Sequence, residues 1–346
     1  MPVLKREVLE RLGYEVFKAS GIPDDEAEIL SSHIVMANLL GHDSHGVWYI
    51  SRYGRQALEN YVTWSSHQVL KDSPLFQLID GNGSHGIVAL THGASLAVGK
   101  ANTLGIGMIG IRNVTHMGRL GAYPTLIADQ GMIGMVWTNT GGLAVAPFGS
   151  ADRKLRLAPV AYAVPRRNSS PFMLDMTFSV VAGGKIEQKI VRGEAIPEGW
   201  LIGESGQYIT DGSVYHEEMA SILPLGGIQF GHKGHGLAMI MEMIVGPLTW
   251  AGCTNDQGSG GGGALIIAID VEKFTDSETF LDQVEEFASY VTSATPLPGH
   301  GKVYAPGEVE EEVKSRLELE GIAIPESTWT EIKEIAEQLS VDIPTI

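Results

Sequence analysis

Apolar positions recur with a helical period in two segments near the start of the chain, residues 4–19 and 24–39. The second opens after Pro23 with Asp24, Asp25 and Glu26, acids that suit the positive end of a helix, and continues through Ala27, Leu30, Ile34, Ala37 and Leu40. Such a helix would deliver the polar run Gly41-His42-Asp43-Ser44-His45-Gly46 at its C-terminal end. Short apolar runs then predict strands over 75–80, 105–111, 133–138, 161–164, 172–176 and 264–271. Between them lie an Ala/Gly-rich helix over 85–103, a helix over 122–130 and an apolar helix over 233–244, entered from Pro224-Leu225-Gly226-Gly227. A glycine run over 258–263, read as flexible, precedes the last strand. Residues 277–289, 308–319 and 327–339 turn helical and acidic. Strands interleaved with helices predict an α/β protein built on a mixed sheet with helices on its faces.

Charge adds an asymmetry to that picture. The 346 residues carry a net charge of −17, and residues 270–346 hold 18 of the acidic side chains against 5 basic ones. No sustained Lys/Arg run offers the electrostatic footprint of a nucleic-acid or anionic-membrane binder. A single cysteine, Cys253, excludes an intrachain disulfide framework and points to a reducing, cytoplasmic setting. The start, with Lys5, Arg6 and Glu7, lacks the apolar core of a signal peptide. The most apolar later stretch, 237–250, contains Glu242 and Pro247 and is too short to span a bilayer.

Four polar clusters are candidate sites. Gly81-Asn82-Gly83-Ser84-His85-Gly86 spells a dinucleotide fingerprint between a predicted strand and helix, but no Asp or Glu occurs from Gly81 to Leu126 to hold a ribose hydroxyl. A tight turn that lets the helix approach the sheet is the plainer reading. His42, Ser44 and His45 with Asp43 offer proton transfer near neutral pH, or an ordinary helix cap. A metal site would need His42, His45 and a remote ligand such as His116 or His232, and the i, i+3 pair is weak support for one. The stretch from Asn113 through His116 and Arg119 to Gly121 follows a strand and precedes a helix, where acid–base chemistry and anion binding can meet. Gly231-His232-Lys233-Gly234-His235-Gly236 could hold a phosphate at a helix start, or serve as a plain glycine-rich entry.

Taken in order, Gly41 to Val47, Asn113 to Tyr123, Thr138-Asn139 with Ala146-Pro147-Phe148-Gly149, Asp175-Met176-Thr177, Leu223 to Gly236 and Pro306-Gly307-Glu308 resemble the malate/L-lactate dehydrogenase-like family of NAD(P)-dependent oxidoreductases. This non-Rossmann family also includes ureidoglycolate, sulfolactate and diketogulonate enzymes, and the resemblance runs from about residue 5 to 340. It implies a mixed-sheet nicotinamide-binding domain over 73–271 and a helical domain formed from both chain ends, 1–72 packing with 272–346. It demotes Gly81–Gly86 to a structural turn. Homodimers with active sites near the subunit interface are the implied assembly.

The implied chemistry is hydride transfer between NAD or NADP and C2 of a small 2-hydroxy or 2-oxo acid, or a related imine. His116 is the preferred proton-transfer group, with His45, assisted by Ser44, as an orienting or alternate acid–base residue. Cofactor contacts carry over to His116, Gly118, Leu120, Gly121, Asp175, Met176, Thr177, His232, Lys233, Gly234, Pro306, Gly307 and Glu308, and no metal is implied. The chain departs from the family at Tyr49, where an arginine often anchors the substrate carboxylate; Arg52 or Arg119 could compensate, with Tyr53 completing the substrate pocket. Ala158-Pro159 stands where many relatives have Asn-Pro. A cofactor-binding sensor or structural protein that has lost turnover is the competing reading, and a metal-assisted lyase or hydrolase the third.

Overall fold

A computed structural model describes residues 1–64, 67–217, 219–256 and 262–344. Most of the glycine run at 258–263 therefore lies outside the described residues. The principal helices are α1 (Arg6–Ala19), α2 (Asp24–Leu39), α3 (Tyr49–Leu58), α4 (Gly86–Leu104), α5 (Ala122–Ala128), α6 (Gly183–Val191), α7 (His232–Leu248), α8 (Ser277–Thr292), α9 (Glu308–Glu320) and α10 (Glu326–Gln338). The principal strands are β1 (Gln68–Asp72), β2 (Phe76–Ser84), β3 (Ile106–Val114), β4 (Met132–Thr138), β5 (Val160–Val164), β6 (Phe172–Met176) and β7 (Ala264–Asp270).

These seven strands form one sheet in the order β1-β2-β3-β7-β4-β5-β6. Only β2 and β3 run parallel, joined by the α4 crossover; the other neighbours are antiparallel. A doubly wound dinucleotide fold needs successive parallel strands on both sides of a switch point, so this sheet is of a different kind. A second sheet joins the short strands Tyr208–Ile209, Leu201–Gly203, Ala220–Ile222, Leu143–Val145 and Leu155–Arg156. The architecture is the mixed-sheet, non-Rossmann α/β class.

The two chain ends meet in one apolar core. Leu9, Val16, Phe17, Leu30, Ile34, Ile50 and Tyr53 pack with Ile322, Ile324, Trp329, Ile332 and Ile335. Pairing of Val3 and Leu4 with Ala323 and Ile322 closes this union. The acidic C-terminal helices do not all face water. Glu278, Asp282 and Glu285 of α8 meet Arg166 and Arg167, which follow β5.

The Gly81–Gly83 stretch is not a turn between strand and helix. It continues β2, with the register against β3 shifting between Asp80 and Ser84, and Asn82 and Gly83 hold positive φ. Gly86 then starts α4 so close to the end of β3 that a Cβ there would lie 2.6 Å from the Thr115 carbonyl oxygen and 2.7 Å from that of His116. The segment spelled like a nucleotide loop is therefore a docking device that sets the path of the chain into His116. Helix α3 and the second sheet are elements the sequence pattern did not predict. Ala158 sits at φ +43, a region that asparagine enters more readily than alanine, which gives a physical cost to the Ala-Pro departure.

The packing at Gly86 has a measurable sign. Gly86→Ala is expected to cost about 1–3 kcal/mol, because the obstructing atoms are backbone. Gly99→Ala in the same helix meets nothing within 4 Å and is expected to stabilise by about 0.4–1 kcal/mol. Denaturant midpoints of the two variants against wild type check the pair; equal shifts would contradict it.

Candidate active site

Three elements converge on one imidazole. His116 follows β3, two residues past its end, and is half-buried. Helix α3 presents Tyr49 and Tyr53 one turn apart, on the same face. The Tyr53 hydroxyl lies 2.6 Å from His116 Nδ1, and the Tyr49 hydroxyl 3.3 Å from Nε2. The Tyr49 ring also stacks on His116, with centroids 4.7 Å apart. On another side His45 stacks on His116 at 5.7 Å and 14°. The Tyr49 phenol thus reaches the proton-transfer candidate directly.

Asn38, near the end of α2, organises the loop that carries His45. Its carbonyl accepts from the Val47 N–H at 2.6 Å, and its amide donates to Asp43 at 2.7 Å. Residues Asp43–His45 form a single 3₁₀ turn in consequence, and the Trp48 indole closes it by donating to the Ser44 carbonyl. Asp43 is used in holding this loop, while Ser44 Oγ reaches His45 Nδ1 at 3.0 Å. His42 turns toward Glu310 of α9, 3.8 Å away, rather than toward His45 and His116. Among the described residues, no group of three or more His, Cys, Asp or Glu side chains is gathered as a metal would require.

The electrostatics of the cluster run against positive charge on the rings. Burial, together with neighbouring His45, His85, His33 and Arg52, holds His116 well below its ordinary pKa. Burial and Arg119 hold His45 and His42 at about 4. Burial pushes the Tyr49 hydroxyl up to about 12 and Tyr53 well above its ordinary value. At neutral pH the site is a set of uncharged imidazoles and phenols with two cations beside them.

Those cations are Arg52 and Arg119. Arg52 is exposed and stacks over the Trp48 and Tyr49 rings at 5.7 Å each. Arg119 is buried, and among the described residues its guanidinium hydrogen-bonds only the Met173 sulfur, at 4.0 Å. No ion pair satisfies it among the described residues; Asp175 and Glu310 act on it from a distance. A buried guanidinium with spare donors is a site for an anionic group, which is what a dinucleotide pyrophosphate would bring. The Asp175 carboxylate is occupied by the Gly121 N–H at 2.6 Å.

A cavity of about 710 Å³ opens beside this guanidinium, with Met173, Gly307, Thr125, Glu310 and Lys314 in its wall. Neither His116 nor His45 lines it; the histidine in its wall is His33. Gly307 packs against Met173, and the Met173 N–H donates to the Pro306 carbonyl, so the 173–175 and 306–308 segments are one unit. Glu308 caps the Ala305 N–H at 3.0 Å, with Arg166 3.9 Å away. The Thr177 and Ser179 hydroxyls pair at 2.8 Å, and Met176 packs with Phe178 in the core beneath. Leu120 is buried in the sheet core. His232 and Lys233 start α7 exposed, against Phe148 and Phe230, while Gly234 presses on Leu225.

Sequence reasoning missed two histidines here. His33, within α2, accepts the Arg119 N–H at 2.9 Å and stacks on Tyr123, whose hydroxyl donates to the Met117 carbonyl. The Arg119 loop reaches His33 because Gly118 takes φ +63, and a Cβ there would collide with the ring. His85 caps α4 through the Ile87 N–H and meets Tyr53 edge-on at 4.4 Å. A histidine next to the apolar run Ile34-Val35-Met36 was the available signal for His33; His85 was hidden by the glycine spelling around it.

With this geometry in hand, known proteins supply a frame. The model of the malate/L-lactate dehydrogenase family matches residues 4–333. The chain is 34% identical to a malate dehydrogenase of Pyrococcus abyssi over 331 residues, 93% of this chain and 90% of that protein. It is 33% identical to an L-sulfolactate dehydrogenase of Methanocaldococcus jannaschii, covering 99% of this chain and 98% of the other. The crystal structure of malate dehydrogenase from Entamoeba histolytica superposes with a TM-score of 0.94 at 26% identity, over 99% of both chains.

The buried imidazoles link stability to pH. For His33, His42, His45, His85 and His116 the folded pKa lies below the ordinary 6.5. As pH falls below 6.5 the unfolded chain binds protons that the folded chain refuses, so stability is lost, by up to about 1.4 kcal/mol per pH unit for each histidine. Thermal midpoints should drop steadily from pH 6.5 to 4.5; a flat profile would contradict the cluster's electrostatics.

Proposed function

The chain belongs to the malate/L-lactate dehydrogenase family, and from that premise we propose that it catalyses reversible hydride transfer between NAD or NADP and C2 of a small 2-hydroxy or 2-oxo acid, or a related imine. The observation that carries this reading is the half-buried, uncharged His116, held by two phenols with the Arg52 cation acting on it. The bound nicotinamide supplies or accepts the hydride. Everything else falls to the protein's own groups.

In the direction of oxidation, Nε2 of a neutral His116 takes the proton of the substrate hydroxyl as C2 loses hydride. In reduction a protonated His116 returns it to the oxygen as C2 gains hydride. His45, braced by Ser44, covers one face of the ring and keeps its plane fixed. Arg52 is the cation best placed to hold a substrate carboxylate, because it shares the α3 face with Tyr49 and is preorganised by two aromatic rings. Buried Arg119, with the 118–121 backbone and the 175–177 and 306–308 segments, is assigned to the dinucleotide; His232, Lys233 and Gly234 would extend that contact. An acid whose carboxylate meets Arg52 rather than a residue at position 49 sits farther along α3, which favours a substrate somewhat longer than lactate.

Two copies of the chain are proposed to associate through α7. Its Leu237, Ile240, Met243 and Leu248 are exposed while Ala238, Met241 and Val245 are buried, an apolar surface of the kind that an interface covers. No helix among the described residues is long and apolar enough to cross a membrane, and a cytoplasmic location is the accompanying proposal.

His116→Asn should bind NADH or NADPH with affinity close to wild type while turnover falls by about 10²–10⁴-fold, seen as loss of the 340 nm change; wild-type turnover would remove His116 from the proton-transfer role. Arg52→Ala should raise KM for the oxo acid by about 10-fold or more and leave the cofactor KM unchanged. An unchanged KM for the acid would shift the anchor to another cation. Sedimentation at micromolar concentration should give twice the chain mass, with Ile240→Asp shifting it toward one.

A further inference from the structure

A dinucleotide fingerprint places an acid after its glycines to hold the adenosine ribose, and none occurs here from Gly81 to Leu126. The fold brings one from the opposite end of the chain. We propose that Glu310, in the first turn of α9, accepts a hydrogen bond from the 2′-hydroxyl of that ribose and makes the site select NAD over NADP. This rests on the assignment of Arg119 and the 306–308 segment to the dinucleotide.

The cavity beside Arg119 is the space for the adenosine. Its volume, about 710 Å³, is that of a small-molecule site. Arg119 lies in its wall, 5% exposed, and among the described residues its guanidinium hydrogen-bonds only the Met173 sulfur. A buried cation without a carboxylate partner is a place for an anion, here the pyrophosphate. Neither His116 nor His45 lines the cavity, so the nicotinamide lies outside it and the other half of the dinucleotide is what the cavity is left to hold. Ile29, Met36 and Leu126 offer apolar wall to a purine.

The charge of that wall is wrong for a further phosphate. Asp25 and Glu28 of α2, Asp129 after α5, and Glu310 and Glu311 of α9 share it with two cations, Arg119 and Lys314. Lys314 is already paired, 3.4 Å from Glu311, and Arg119 is taken by the pyrophosphate. His33, in the same wall, is held uncharged by burial. A 2′-phosphate would bring about −1.5 to −2 of charge at neutral pH against these carboxylates. The positive end of α9 does not compensate, since its first turn carries Glu308, Glu310 and Glu311.

Among these acids Glu310 is the one left free to bind. Glu308 is used in capping the Ala305 N–H, and Glu311 is held by Lys314 and by the Ser170 hydroxyl at 2.8 Å. Asp175 accepts from the Gly121 N–H and does not line the cavity. Asp25, Glu28 and Asp129 are exposed, whereas Glu310 is half-buried and close enough to Arg119 to act on its charge. Its printed neighbour is His42, whose Nε2 is 3.8 Å away, beyond hydrogen-bonding distance, on a ring that burial and Arg119 keep uncharged. A carboxylate accepts from a hydroxyl and repels a phosphate, so one side chain serves both halves of the choice.

The test titrates the full chain with NADH and with NADPH by calorimetry, which needs no substrate. Wild type should bind NADH about 10-fold or more tightly than NADPH, and Glu310→Gln, which keeps the shape and removes the charge, should narrow that ratio by about 10-fold. Glu286→Gln, which removes an exposed acid of α8 instead, should leave both affinities unchanged. NADPH bound as tightly as NADH by wild type overturns the proposal, as does an unaltered ratio in Glu310→Gln. Should Glu310→Gln bind neither cofactor, Glu310→Asp decides, because it keeps the carboxylate and must keep the NADH preference; its loss overturns the proposal. Binding of neither cofactor by wild type overturns the dinucleotide assignment and the proposal with it, an outcome distinct from equal binding of the two.

Discussion

The close approach of the α4 start to the end of β3 is the contact on which the site depends. Gly86 lies against the carbonyls of Thr115 and His116, and the same few residues put His85 against Tyr53. One glycine-permitted contact therefore sets both the backbone that carries His116 and the phenol that holds its ring. The N-terminal helices complete the arrangement, because Tyr53 belongs to the core in which the two chain ends pack together. Folding of the ends and assembly of the site are coupled through Tyr49 and Tyr53, both members of that core.

A second constraint is electrostatic. The protein is strongly acidic, yet among the described residues no carboxylate is in hydrogen-bonding contact with His116. Much of the negative charge is held in the C-terminal helices, and part of it is paired with Arg166 and Arg167. The charged groups that act on the His45–His116 pair are cationic, Arg52 and Arg119. With no carboxylate to favour its charged form, burial holds the His116 ring neutral.

Much of this was legible in the amino-acid order. The acids after Pro23 and the 3.6-residue period located α2 at its observed bounds, and the run Phe172–Met176 was read as the strand it forms. His116, His45 and Tyr49 were found as candidates, and they do come together. Helix α3 escaped notice because its functional face is polar and aromatic rather than aliphatic, so the period that marks a helix was spread over Tyr49, Arg52 and Tyr53. The second sheet escaped because strands of two or three residues are too short to display alternation. The contacts of His33 with the Arg119 N–H and of His85 with Tyr53 are tertiary, between segments far apart in the chain.

The central claim is that hydride and proton are exchanged at one carbon–oxygen bond beside His116. Tracing deuterium from C4 of the reduced nicotinamide through a turnover with a 2-oxo acid tests it most directly. The account predicts one deuterium at C2 of the hydroxy acid for each cofactor oxidised, from one face of the nicotinamide only. Cofactor oxidation without deuterium at C2 would contradict it.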